Sequence, residues 1–261
     1  MFASTADARI HALVQGSGAP PLLIIHGLGS TSDYWRTVLV GLEASRMVIA
    51  PDLRGCGRSE AGRRPLTIEL MAEDMIAILD ELGVNRCHLA GISLGGVIVQ
   101  RLLLRYPDRF SSSVLISTSS RVSEKARAAW RRIADTVEKK GVSGDPAGYA
   151  RGFSPQFVRE HPDFIASYAR ESARADRVVY AAQARAASDY DYTEVLTGVL
   201  QPVLILQGGA DAMTPPAGSV ILDRQLPHST LEIIDGVGHN LPIEMGQAFV
   251  ERVERFLDGR E

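Results

Sequence analysis

Short, almost wholly apolar runs recur along this chain, separated by stretches with helical periodicity. Residues 22–25 read Leu-Leu-Ile-Ile and residues 47–50 read Met-Val-Ile-Ala. Similar runs stand at 87–90, 114–116, 203–206 and 231–234, and residues 10–15 can form an earlier strand. Brief apolar runs without polar alternation fit strands buried on both faces. Between them, Met71, Met75, Ile78, Leu79 and Leu82 form one stripe, with Thr67 expected as N-cap and Gly83 as C-cap. Residues 96–104 are apolar almost all round, so a buried helix is expected there, ending at Tyr106-Pro107. Phe249, Val253, Phe256 and Leu257 mark a last amphipathic helix. Strand and helix in alternation predict an α/β fold, a mostly parallel sheet flanked by helices.

One region breaks the alternation. Residues 121–200 hold no convincing buried strand but have helix-forming stretches at 124–140 and 163–187, punctuated by Pro146, Pro155 and Pro162. The expected organisation is a core of residues 1–120 and 201–261, with 121–200 inserted as a helical cap over the C-terminal edge of the sheet. Most of the insertion's aromatic residues, Trp130, Tyr149, Phe153, Phe157, Phe164 and Tyr168, are expected to pack it onto the core.

Bulk properties exclude several classes. The 261 residues are 45% hydrophobic and 23% charged, enough for a large core without disulfide or metal staples. A net charge of −3 gives no general footprint for nucleic acid. No apolar run approaches the roughly 18 residues of a membrane span. The first residues show neither a basic start nor an apolar leader segment. Cys56 and Cys87 lie in no C-x-x-C pair, and Cys87 falls within a predicted central strand, so free thiols and a cytoplasmic location are expected.

The chemistry centres on Gly91-Ile92-Ser93-Leu94-Gly95, between a predicted strand and a predicted helix. That order is the context of a nucleophile elbow, whose glycines permit a turn too tight for larger side chains. An activated serine needs a base and a group that orients the base. Asp211 stands just past the run 203–206, and His239 just past 231–234. All three candidates therefore follow strand ends that share one edge of a parallel sheet, where ligands bind. An oxyanion hole needs two converging amides. Leu94, after the serine, is one candidate. Leu28, in His26-Gly27-Leu28-Gly29 after an earlier strand, is the other.

With these motifs the chain resembles the serine-nucleophile branch of the α/β-hydrolase superfamily. His26-Gly27-Leu28-Gly29 matches the H-G-x-G motif, and residues 52–59, Asp-Leu-Arg-Gly-Cys-Gly-Arg-Ser, are similar to the D-x-R-G-x-G-x-S turn. Gly91 to Gly95 matches the elbow, Asp211 the acid site and Gly238-His239 the histidine site. The resemblance runs from about Leu22 to the C-terminus outside the variable insertion. Cys56 departs from it, standing where many relatives have histidine; that turn is structural, so little effect on chemistry is expected. A serine rather than a carboxylate nucleophile argues against the haloalkane dehalogenase and epoxide hydrolase branches.

The resemblance is to 3-oxoadipate enol-lactonases and small carboxylesterases, and it implies cleavage of a small-molecule ester or enol-lactone through an acyl-enzyme, without cofactor. The same triad can serve C–C bond hydrolysis of a diketone, and a ligand-binding receptor on this scaffold is a further alternative. Asp235 is a rival acid, four residues before His239 and read as a turn former, whereas residues 117–120 contain no carboxylate. No histidine pair has H-x-x-x-H spacing, so no metal site is expected. His88 and His26 are read as structural, and His11, His161 and His228 lack partner motifs. Arg54 and Arg58 are read as stabilising their turn. Oligomeric state is not legible.

Overall fold

The apolar runs become the interior of a sheet. The computed structural model describes residues 1–260. Its strands are β1 (Phe2–Ser4), β2 (Arg9–Gln15), β3 (Leu22–Ile25), β4 (Val48–Pro51), β5 (Cys87–Ile92), β6 (Phe110–Ile116), β7 (Val203–Gly208) and β8 (Ser229–Ile234). They form one sheet in the order β1-β2-β4-β3-β5-β6-β7-β8. β1 and β2 pair antiparallel and β2 is antiparallel to β4, while the remaining pairs are parallel. β1, only three residues long, carries too little pattern to be seen in the sequence.

Side-chain alternation sends each buried strand to both faces. The helices that cover them include α1 (Arg36–Glu43), α2 (Ile68–Glu81) and α3 (Leu94–Arg105). Leu23, Ile25, Leu115 and Ile205 pack with Met71 of α2 and Leu102 of α3. Leu22, Ile24, Ile116 and Leu206 pack on the other face, with Trp35 and Leu39 of the α1 region and Phe249 near the C-terminus. α2 starts as expected: the Thr67 hydroxyl accepts the Leu70 amide at 3.0 Å. It ends just before Gly83, whose φ of +66° suits glycine. Tyr106, ahead of Pro107, has φ −134°, which closes α3.

Between β6 and β7 lie α4 (Glu124–Lys140), α5 (Pro146–Ala150), α6 (Pro155–Glu160), α7 (Pro162–Ser172) and α8 (Arg177–Ala186). After β7 come α9 (Pro216–Gln225), α10 (Leu241–Met245) and α11 (Gln247–Leu257). The stretch 163–187 is broken into α7 and α8 rather than continuous. α7 stops at Ser172, and Asp176 starts the next helix: its carboxylate accepts the Val178 and Val179 amides at 2.8 and 3.0 Å.

The turn after β4 is locked by ions. Asp52 accepts the Ser32 amide at 2.7 Å and the Arg58 amide at 3.0 Å. His11, without a visible partner in the sequence, has its Nδ1 2.9 Å from Asp52 Oδ2, a pairing that only the β2–β4 register creates. Arg54 is fully buried and grips Asp74 of α2 through two bonds, at 2.9 and 2.6 Å, and Asp7 at 2.8 Å. Burial nevertheless holds the Asp74 pKa above its ordinary value. Removing one partner of such a pair leaves an uncompensated buried group, a loss of about 3–5 kcal/mol. Arg54→Ala should lower unfolding stability by that amount, measured as the shift in urea midpoint at pH 7. A shift equivalent to less than about 1 kcal/mol would contradict the structural role of this pair.

Candidate active site

One residue joins β5 to α3. Ser93 has φ 54° and ψ −117°, a conformation that side-chain-bearing residues rarely adopt. Its amide donates to Ile116 O at 2.9 Å, and its carbonyl accepts the Thr118 hydroxyl at 3.0 Å, both from the end of neighbouring β6. The flanking glycines are forced. A Cβ on Gly91 would strike the Gly95 carbonyl, and one on Gly95 would strike the Ile25 carbonyl at the end of β3.

Asp211 and His239 meet although 28 residues apart: His239 Nδ1 lies 2.8 Å from Asp211 Oδ2. Asp211 Oδ1 accepts the Met213 and Thr214 amides at 2.8 and 2.9 Å. Its Oδ2 also accepts from Gln207 Nε2 at 3.2 Å, and the Gln207 carbonyl oxygen is fixed by the Ser219 hydroxyl at 2.7 Å. With Nδ1–H directed at the carboxylate, Nε2 is left as the basic nitrogen. Asp235 is exposed and does not hold the ring. Ser93 and His239 line one cavity, with no direct hydrogen bond between their side chains among the described residues.

The loop carrying His239 is tied to the helical segment between β6 and β7. Gly152 O accepts the His239 amide at 3.1 Å, the Asn240 amide at 3.2 Å and Asn240 Nδ2 at 2.8 Å. Glu244 accepts the Gly238 amide at 3.0 Å and the Ser154 amide at 3.2 Å, joining the same two segments. Burial raises the Glu244 pKa. Ser117 Oγ donates to His239 O at 2.8 Å, and Tyr34 OH donates to Asn240 Oδ1 at 3.2 Å. None of these supports was legible beforehand, since Gly152 acts through a carbonyl that every residue has.

The loop after β3 is organised by His26. Its Nδ1 donates to Gly27 O at 2.8 Å and its Nε2 accepts the Leu53 amide at 3.0 Å. Burial lowers its pKa to about 4, so the ring is neutral, as both bonds require. Gly29 N is already taken, donating to Gln183 Oε1 of α8 at 3.0 Å. Gln183 Nε2 in turn donates to Cys56 Sγ at 3.1 Å, so Cys56 has a polar partner that its place in the turn did not suggest. Burial pushes the Cys56 thiol up to about 12, which keeps it protonated. The amides of Leu28 and Leu94 have no acceptor among the described residues.

Two cavities meet at Ser93, of about 380 and 350 Å³. Trp130, Tyr149 and Tyr168 line the first, so these aromatic residues do more than pack the insertion. Phe153, Phe157 and Phe164 pack against one another and Tyr168, within the insertion rather than onto the core, mostly edge to face. Among the described residues no cluster of side chains could hold a metal ion, and no helix is long and apolar enough to cross a membrane. Cys56 and Cys87 are free and buried.

Sheet order, elbow and acid–histidine pair define the α/β-hydrolase architecture. The chain belongs to the α/β-hydrolase fold family, whose model matches residues 20–245. It is 29% identical to 3-oxoadipate enol-lactonase 2 of Acinetobacter baylyi, over 90% of this chain and 87% of the relative. It is also 29% identical to pimeloyl-[acyl-carrier protein] methyl ester esterase of Aeromonas hydrophila, over 91% of this chain and 95% of the relative. Among solved structures, a thermophilic esterase from Thermogutta terrifontis superimposes with a TM-score of 0.91 at 27% identity, covering 98% of this chain and 97% of the other.

His26 carries a pH prediction. A histidine whose folded pKa is depressed contributes full stability above its unfolded pKa of about 6.5, lost as pH falls toward the folded value. Protonation would set an N–H against the Leu53 N–H. An NMR titration of the His26 ring should therefore stay flat from pH 8 to about 5, with its midpoint near 4. A midpoint near the ordinary value would contradict the neutral, acceptor role.

Proposed function

We propose that this chain is a serine hydrolase that cleaves a small-molecule ester or lactone. The carrying observation is the buried Asp211–His239 hydrogen bond at 2.8 Å, on a ring that lines the same cavity as Ser93. The esterase and lactonase names of the relatives support the substrate class. In this reading residues 121–200 form a helical cap, and residues 1–120 with 201–261 form the catalytic core.

Ser93 Oγ attacks the carbonyl carbon while His239 Nε2 takes its proton. Asp211 keeps the imidazole oriented and stabilises the imidazolium. The amides of Leu28 and Leu94 receive the developing oxyanion, an effect worth about 3–4 kcal/mol per donor in other enzymes. That both amides lack partners, while Gly29 N is occupied by Gln183, favours this pair. His239 gives its proton to the departing alkoxide, leaving an acyl-Ser93. Water, deprotonated by His239, then releases the acid. The cap accepts the His239 and Asn240 amides at Gly152 O and donates its Ser154 amide to Glu244, and these bonds hold the histidine loop against the core through this cycle.

A fluorophosphonate probe should label folded protein stoichiometrically at Ser93, and Ser93→Ala should abolish both labelling and hydrolysis of a nitrophenyl acetate. Folded protein that is neither labelled nor active would instead favour a receptor on this scaffold. Asp211→Asn should lower kcat by about 10⁴ through the wrong tautomer. If Asp235→Asn caused that loss instead, the acid would be misassigned.

A further inference from the structure

The two cavities at Ser93 differ in chemistry. Leu28, Ser93, Trp130 and Met213 line both, so a substrate whose scissile carbonyl sits at Ser93 extends one arm into each. The first chamber is walled by Tyr34, Tyr149, Tyr168 and Tyr180 with Val137 and Ile133. No lysine or arginine lines it among the described residues, and its single carboxylate is the exposed Asp145. The second chamber is lined by Ser117, Thr118, Ser119, Ser120 and Thr214, with the Ser117 and Thr118 hydroxyls already given to backbone carbonyls, and what sets it apart is a lining that includes Arg121 but no carboxylate.

Resting on the hydrolase reading above, we propose that the tyrosine-walled chamber selects an uncharged, apolar or aromatic arm of the substrate. The hydroxyl-lined chamber takes the polar arm and is the one that tolerates an anionic group.

The physical reason is desolvation. A carboxylate entering the first chamber gives up water and gains no cation, and an ion buried without a partner is strongly disfavoured. Of the wall tyrosines, Tyr34 gives its one hydroxyl proton to Asn240 and has none for a ligand. Asp145 adds like-charge repulsion at the first chamber. An apolar ring, by contrast, meets aromatic faces and branched side chains across a space of ordinary ligand size. In the second chamber the lining includes the cation Arg121. Asp191, bridged to Arg121 through the backbone, shares its field and has its pKa held down by Thr193 and by Arg121. That chamber is therefore permissive toward anions rather than dedicated to one.

The test compares three esters of matched size: a neutral parent, its analogue with a carboxylate at the end of the acyl group, and its analogue with a carboxylate at the end of the alcohol. kcat/KM is measured for each on wild-type protein, with Ser93→Ala as blank. One charged isomer should fall at least about 100-fold below the parent, equivalent to about 2.7 kcal/mol. The other should stay within about 10-fold, as expected of a solvated, permissive arm. Both isomers within about 10-fold, or both down about 100-fold, would overturn the proposal. Asp145→Lys should narrow the gap between the disfavoured isomer and its parent by at least about threefold, and an unchanged gap would count against charge as the selector. If the neutral parent is not cleaved and the fluorophosphonate leaves Ser93 unlabelled, it is the hydrolase reading that fails.

Discussion

Backbone contact between the first turn of α3 and the end of β3 underlies the arrangement of the site. Gly95 lies so close to the Ile25 and His26 carbonyls that no side chain fits between them, and Gly91 is equally close to Gly95. β5, α3 and the loop after β3 are thereby pressed into one unit. Ser93 is left in a strained turn, and Leu28 is brought to the same cavity. A strained residue persists only where its surroundings over-determine it, and here β6 does so through Ile116 and Thr118.

Asp211 and His239 are held by different means. Asp211 is saturated by hydrogen bonds from two amides, Gln207 and His239, so its orientation needs nothing beyond its own sheet edge. His239 depends on a remote segment. Gly152 O and Glu244 fasten its loop to the helices between β6 and β7, while Ser117 holds its carbonyl. Gln183 makes a second tie, from α8 to Gly29 beside the Leu28 amide. The inserted segment is thus bonded to both the His239 loop and the loop after β3, so the segment that walls the cavity also braces the residues facing it.

Much of the core was readable because burial on both faces leaves an unambiguous apolar signature. Strands such as Leu22–Ile25 and Val203–Gly208 fall on the expected runs. The inserted helices were less readable. Composition favours helix throughout 163–187, yet α7 stops at Ser172 and the Asp176 carboxylate starts the next helix. The His11–Asp52 pair and the Gln183–Cys56 contact were hidden for another reason. Each joins side chains more than forty residues apart, and no local pattern records such a meeting.

The sequence by itself determined the α/β layering and the identity of the candidate residues. Both are written in local spacing: apolar runs of strand length, and G-x-S-x-G, Asp and His just past the runs. Only the tertiary structure decided which carboxylate meets His239, which amides stay free beside Ser93, and which side chains wall the two cavities. Those outcomes depend on strand register and on helices folding back across the sheet edge. The tyrosines of one chamber and the hydroxyls of the other come from segments far apart in the chain, so their chemistry exists only once the segments are packed together.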